Sequence, residues 1–409
     1  MLKNIASYSG WQAAGQAFSA ASLVLLSLLL STGAFATYGL AVTTGSMLAA
    51  VTTLRLEQTI LVAAEDGEAH RLAWATVALA LAVALALAAV AVPVLGALDA
   101  PGYGLVALAG VALALSNGLL VVAQQLLIRQ GRSAEAGRMG ATRSAAVASL
   151  VVCAAWLGDR ADPRPALLAS LAGSILLAGY CVLGIRRRSG RWPGLAAVRT
   201  AARGQADVWV PYFGQSAISG LALNLPYYFF YLSVSPALCA GFLLAERVVR
   251  LPINLVSSSI RSHLVHELGR RVRSGDSASC LALVRVWSRT LFGAGVLFSL
   301  AAAAVLYAVA STVVPNPTWR VAAACMAVLS LWSGAILSSS PSAALLTVHR
   351  QNAFMMKAQA AELAAKALLL TPVVFTGDAR FYLILFASHA PNLVLRISTY
   401  RKAMATGCR

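Results

Sequence analysis

The sequence predicts an all-α polytopic membrane protein with about twelve transmembrane helices, and three observations predict it. Mean hydropathy is +0.76, with 59% hydrophobic and 11% charged residues, a balance outside the range of soluble domains. Apolar runs of about twenty residues, the length a helix needs to cross a bilayer core, recur along the whole chain. They are continuous rather than alternating over segments of about ten residues, which argues against barrel strands.

A hydropathy reading places spans near Ala20, Ala49, Ala84, Ala114, Leu150, Ile175, Leu221, Val249, Leu297, Leu331, Lys366 and Ala390. The first opens on "YSGWQ" and carries Gln12, Gln16 and Ser19. Those polar residues and its length speak against a cleavable leader, despite "GAFA" before Thr37. The second ends on Arg55 and Glu57, where snorkelling to the interface and a role in the lumen are both open to Arg55. The third, "LAWATVALALAVALALAAVAVPVLG", has no polar group in its middle and reads as lipid-facing scaffold. Asn117, Gln124 and Gln125 in the fourth, and Asn224 with Pro226 in the seventh, either line a cavity or bond across helices. The fifth span is short. In the tenth, Ser338 to Pro341 is expected to interrupt the helix, as is Pro252 in the eighth, because proline removes a backbone donor and clashes with the preceding turn. Glu362 and Lys366 in the eleventh are four residues apart, the spacing of an intrahelical structural pair.

Between the sixth and seventh spans, "RRRSGRWPGLAAVRTAARG" carries six arginines and no acidic residue. It divides the chain into an N-terminal six-helix bundle (1–185), a basic linker (186–206) and a C-terminal six-helix bundle (207–409) expected to surround a central cavity. "YFGQS", which opens the seventh span with Gln215, Ser216 and Ser219, echoes the opening of the first and fits a duplicated half. With the N-terminus in the cytoplasm, the opposite side holds only Arg160, Arg164, Arg320 and Arg380, so both termini are expected to be cytoplasmic. The net charge of +18 then reads as a topology signal and an attraction to anionic lipid rather than to nucleic acid.

The eighth span holds the densest intramembrane polarity. At about 100° per residue, Glu246, Arg250, Asn254, Ser257 and Arg261 fall on one face, with Arg247 at its edge. If the span begins near Ala237, Glu246 and Arg250 lie close to the bilayer midplane, where each charge costs about 2.5–3.5 kcal/mol. They must therefore face protein or water. Glu246 with Arg250 can pin one helix to another, but Arg247 is left over, and the surplus cation points to a cationic binding surface with Glu246 orienting Arg250 or coupling transport to a proton.

Catalytic signatures are missing. No "GK" dipeptide exists to cradle a nucleotide phosphate. "HLVHE" at 263–267 is not in zinc-protease order and has no third ligand near it. The six cysteines show no paired spacing. A transporter without cofactor or metal is expected, not an enzyme.

Two stretches carry a family resemblance: "YGLAVTTGSMLAAVTTLRLEQTILVA" at 38–63 and "AGFLLAERVVRLPINLVSSSIRSHLVHELGRRVRSGD" at 240–276. With the span count, they resemble the oligosaccharide-lipid flippases of bacterial polysaccharide biosynthesis, in the multidrug, oligosaccharidyl-lipid and polysaccharide exporter superfamily. The resemblance implies two six-helix bundles opening alternately to the two sides of the bacterial inner membrane. The implied cargo is a polyprenyl-pyrophosphate-linked oligosaccharide repeat unit for O-antigen, lipopolysaccharide or exopolysaccharide, later handled by polymerase and ligase machinery. Arg250, Arg247, Arg261 and Asn254 would meet the pyrophosphate, while Gln12, Gln16, Gln215, Ser219, Asn224, Gln124 and Arg55 would line the lumen. The first span lacks the carboxylate common in the drug-exporting branch, and lipid II flippases usually have fourteen spans. A cation-coupled exporter of small amphipathic molecules is the alternative. Reporter fusions after Gly204 and after Arg409 are expected to show cytoplasmic activity; periplasmic activity from either reverses the topology.

Overall fold

The computed structural model describes residues 2–63, 65–97, 103–190, 192–274, 276–312, 316–349 and 351–407. Among them there is no strand, and fourteen helices have ten residues or more. They are α1 (Leu2–Leu29), α2 (Thr32–Thr52), α3 (Asp66–Ala97), α4 (Tyr103–Arg129), α5 (Ser133–Leu157), α6 (Arg164–Ser189), α7 (Leu195–Gly204), α8 (Ala206–Ser233), α9 (Pro236–Arg273), α10 (Ser277–Thr312), α11 (Pro317–Val328), α12 (Ser330–Val348), α13 (Asn352–Leu370) and α14 (Phe381–Gly407). Each of the twelve expected span centres lies within a helix. Among the described residues, eight stretches are long and apolar enough to cross a membrane. Helix α9, with its charges at 246, 247 and 250, is not one of them.

The chain divides into two compact units, Met1–Asn224 and Leu225–Arg409, and the division falls inside α8. In the first unit α4 is the central helix, packed on α2, α3 and α6, while α1 lies along α5. Small residues set that last approach, since a methyl group on Gly15 would lie 3.1 Å from the Ala141 backbone and one on Gly137 would lie 3.0 Å from the Tyr8 carbonyl. In the second unit α12 contacts α9, α10 and α14, and α13 lies on α14.

Three expectations are corrected. The third span is not lipid-facing throughout, because Ala69, Leu72, Ala73, Ala75, Val77 and Ala80 are buried with Leu119, Val122 and Leu126 of α4. These are the opening turns of the span; its polar-free middle is largely exposed from Leu81 on, with Leu85 and Val90 outward. Neither proline interrupts its helix: α12 runs through Ser338–Pro341, with the break in the tenth span at Leu329, and α9 runs through Pro252. Ser338 and Ser339 hydroxyls donate back to carbonyls three residues earlier, keeping their polarity inside the helix. The basic connection, for its part, is a linker that contains a helix. Helix α7 buries Val198 against the α3–α4 core, Gln205 Nε2 donates to Glu68 at 3.0 Å, and Trp192 meets Trp74 edge-on at 5.5 Å.

The contact between α10 and α12 is the tightest test of this packing. A methyl on Gly295 would lie 2.8 Å from the Ser333 carbonyl oxygen, and one on Gly334 would lie 2.8 Å from that of Phe292. Glycine is what lets these two backbones approach, as small residues do in membrane bundles. Gly334→Val is therefore expected to destabilise the detergent-solubilised protein by about 1–3 kcal/mol, the cost of overpacking, seen as a lower thermal midpoint. Gly293→Ala, next to open space, is expected to leave the midpoint in place.

Candidate functional site

The site begins with the length of α9. Measured from Pro236, Glu246 and Arg250 lie about 15 and 21 Å along the axis at 1.5 Å per residue. Both are thus deep within a bilayer-length helix. Glu246 is 7% exposed. Arg250 Nη1 donates to Glu246 Oε1 at 2.7 Å, and Arg247 Nε lies 3.4 Å from Oε2. The carboxylate is thus held by two guanidinium groups of its own helix. The side chains of Asn254 and Arg261 lie outside the described residues.

A second buried pair lies on α13. Lys366 Nζ is 2.7 Å from Glu362 Oε1, with Lys366 1% exposed. The Asn392 amide of α14, oriented to satisfy its neighbours, donates to Glu362 Oε1 at 2.6 Å and accepts from Lys366 Nζ at 3.2 Å and from Trp332 Nε1 of α12 at 3.1 Å. Trp332 packs edge-on against His389 at 5.2 Å. His389 Nδ1 is 2.8 Å from the Leu385 carbonyl, so that nitrogen carries the proton. Lys366 is also near enough to Glu246 and Arg250 for their charges to interact. Among the described side chains, three cations and two carboxylates therefore share one electrostatic neighbourhood.

The first unit is built differently, from amides. Gln12 and Gln124 flank Gly140, where a methyl would lie 2.7 Å from Gln124 Nε2 and 3.9 Å from Gln12 Nε2. Gln12 Nε2 donates to the Tyr8 hydroxyl at 2.9 Å. Gln124, buried, donates to the Ala136 carbonyl at 2.9 Å, so of its two expected roles it fills the bond across helices. Gln16 is half-buried. On α8, Gln215 and Ser219 are half-buried one turn apart, and Asn224 is buried, donating to the Gly220 carbonyl of its own helix at 2.6 Å.

Arg55 ends a helix that stops early. Leu54 and Arg55 both have left-handed backbone, with φ of 47° and 60°, a conformation that costs a bulky residue about 1–3 kcal/mol. Arg55 reaches the buried Glu57 at 3.4 Å. From α4, Arg129 Nη1 donates to the carbonyls of Ile60 and Ala63, and its Nε meets Asp66. Carbonyls at the end of the short helical turn that follows, Thr59–Val62, are thereby satisfied by one guanidinium.

Sequence reasoning missed four participants. Asn392, Trp332 and His389 each look ordinary in their own helix, and only the fold places them together. Arg143 lies ten residues into α5, at the start of its apolar run, and donates to the Ser116 hydroxyl of α4 at 2.8 Å; its position at the mouth of that run was the signal available. Among the described residues no group of His, Cys, Asp and Glu is placed to hold a metal, and no cysteine is paired.

The Asn392 amide can rotate to serve a reversed pair, but Trp332 Nε1 then faces its nitrogen. The exchange Glu362→Lys with Lys366→Glu is therefore expected to recover most of the folded protein lost in either single variant, short of the wild-type level, as read by membrane abundance and size-exclusion profile. A double variant no better than the singles would show that the charges are not exchangeable.

No family model matches the sequence, and neither does any curated protein. Solved structures do. The lipid II flippase MurJ, in an inward closed conformation, aligns over 98% of this chain and 90% of its own with a TM-score of 0.73 at 11% identity. A multidrug resistance MATE family transporter of the MOP superfamily, inward-facing, aligns over 100% and 95% with a TM-score of 0.63 at 14% identity. A MOP superfamily transporter from Pyrococcus furiosus, described as having a binding pocket of reverse polarity, aligns over 100% and 96% with a TM-score of 0.62 at 12% identity. This chain is thus an all-α membrane protein with a fold that MOP superfamily transporters and a lipid flippase share.

Proposed function

We propose that the chain moves a polyprenyl-diphosphate-linked oligosaccharide repeat unit across the bacterial inner membrane by alternating access, with both termini cytoplasmic. One observation carries this reading: among the described side chains, Arg247, Arg250 and Lys366 gather with Glu246 and Glu362 deep in long helices, a predominantly cationic cluster. A cation retained at that depth is expensive unless it meets an anion, and a diphosphate is the dense anion of such a lipid carrier. The planar guanidinium of Arg250 suits it, offering parallel donors that an ammonium lacks. Glu246 then holds Arg250 in place between cargo-loaded states. The likeness to the flippase for lipid II supports a lipid-linked cargo. The absence of any acidic residue in α1 weighs against the amphipathic-molecule exporter, for which Glu246 would be the protonatable group.

Two substitutions test the role of Arg250 in a strain deleted for its own repeat-unit flippase. Arg250→Lys keeps the charge and loses the fork, so surface polysaccharide is expected to fall in part; Arg250→Ala is expected to abolish it while the protein stays in the membrane. Arg250→Cys should react with a water-soluble thiol reagent. Normal polysaccharide from Arg250→Ala, or a thiol unreactive under all conditions, returns the cluster to a structural role. Drug resistance conferred without polysaccharide would favour the exporter.

A further inference from the structure

Away from the buried cluster, the first unit holds a cleft of about 560 Å³ where the end of α4 meets the start of α5 and the end of α6. Its two long walls are matched helical stripes: Glu135, Arg138, Met139 and Thr142 from α5, and Tyr180, Leu183, Gly184, Arg187 and Arg188 from α6. Arg132, just before α5, also lines it and pairs with Glu135 at 2.6 Å. Arg188 donates to the Gly184 carbonyl at 3.1 Å. Arg138 and Arg187 are exposed, with no carboxylate partner among the described residues. Four arginines thus face one carboxylate.

The cleft has an apolar continuation. Tyr180 and Leu183 are exposed at its rim; about one turn further into the span α6 presents Leu176 and Ile175, and about two turns beyond those Leu168, also exposed. On the other side of the arginines, Trp192 and the amphipathic α7 mark interfacial depth: Trp192 and Leu195 are exposed beside Arg199 and Arg203. Positive charge at the headgroup level, above an exposed apolar lane running into the bilayer, is the complement of one molecule with a phosphate at one end and acyl chains at the other.

We propose that this cleft binds the phosphodiester headgroup of an anionic phospholipid of the adjoining leaflet, with Arg138 and Arg187 on the phosphate and the acyl chains along Leu183, Tyr180 and Leu176. The fork geometry of two guanidinium groups selects phosphate oxygens. The surplus of charge selects an anionic headgroup over a zwitterionic one. Inorganic phosphate shares the charge but not the lane, so the two sources are separable. The site does not depend on the cargo proposed above.

The test uses the full chain in detergent, with native mass spectrometry of retained lipid and thermal midpoint as readouts. Phosphatidylglycerol is expected to be retained and to raise the midpoint more than phosphatidylcholine. Arg138→Ala with Arg187→Ala is expected to weaken phosphatidylglycerol retention about tenfold or more, as loss of two charge-assisted phosphate contacts implies. Arg160→Ala with Arg164→Ala, equal in charge at the other end of α6, is expected to retain it. A photoactivatable phosphatidylglycerol should crosslink to the peptide containing Tyr180 in the unaltered protein, a readout that needs no variant. Wild-type retention by the Arg138/Arg187 double variant, equal retention of phosphatidylcholine, or a crosslink mapping elsewhere overturns the proposal. Millimolar inorganic phosphate that matches the stabilisation by phosphatidylglycerol would assign the cleft to the free anion instead.

Discussion

A charge placed in an apolar helix must bring its own compensation, and in this protein that requirement organises the second unit. Glu246 has Arg250 one turn on and Arg247 beside it, and Glu362 has Lys366 one turn on. Around the second pair, Asn392 serves donor and acceptor at once, and its remaining lone pair takes the Trp332 indole N–H. Helices α12, α13 and α14 are therefore tied by polar geometry at a point where apolar contact would leave them free to slide, because in lipid no hydrophobic force distinguishes a helix neighbour from an acyl chain. Truncating one member leaves a buried partner uncompensated, which is costlier than never having had the pair.

Apart from Glu57, paired with Arg55, the first unit answers the same constraint with neutral groups. Gln12 and Gln124 meet around Gly140, and Gln124 donates to the backbone of α5. Its one deep cation with a described partner, Arg143, is bonded to a hydroxyl instead of a carboxylate. The two described i,i+4 ion pairs buried in long helices thus lie in the second unit, and the buried amides that bond across or along helices, Gln124 and Asn224, lie in the first. Duplicated halves, suggested by the shared helix openings, would then have diverged most in their charges.

Much of this was legible in the sequence. Hydropathy and length located twelve helices, because a membrane helix must satisfy every backbone group internally and so declares itself by composition alone. The i,i+4 spacing also declared both buried pairs. What pattern could not supply was the third dimension. The polar-free third span looked like lipid-facing scaffold, which its exposed middle fits, yet the alanines of its first half pack against α4, since small apolar residues suit close helix contact as well as lipid. Ser338 to Pro341 looked like a break, yet serines that bond back to their own helix sit in it comfortably. Asn392 and Trp332 gave no signal because their meaning is relational: neither is unusual until α13 is beside it.

Both buried pairs are intrahelical, and that has a consequence for biogenesis. Synthesis runs at about 5–20 residues per second, and 120 residues separate Glu246 from Lys366. For several seconds or more, α9 therefore exists while the helices that later surround its charges are still unmade. A pair split between α9 and α13 would leave an orphaned carboxylate to enter the bilayer alone. By carrying a counterion within one turn, each buried carboxylate is presented to the insertion machinery already paired, and tertiary assembly does not have to supply its partner.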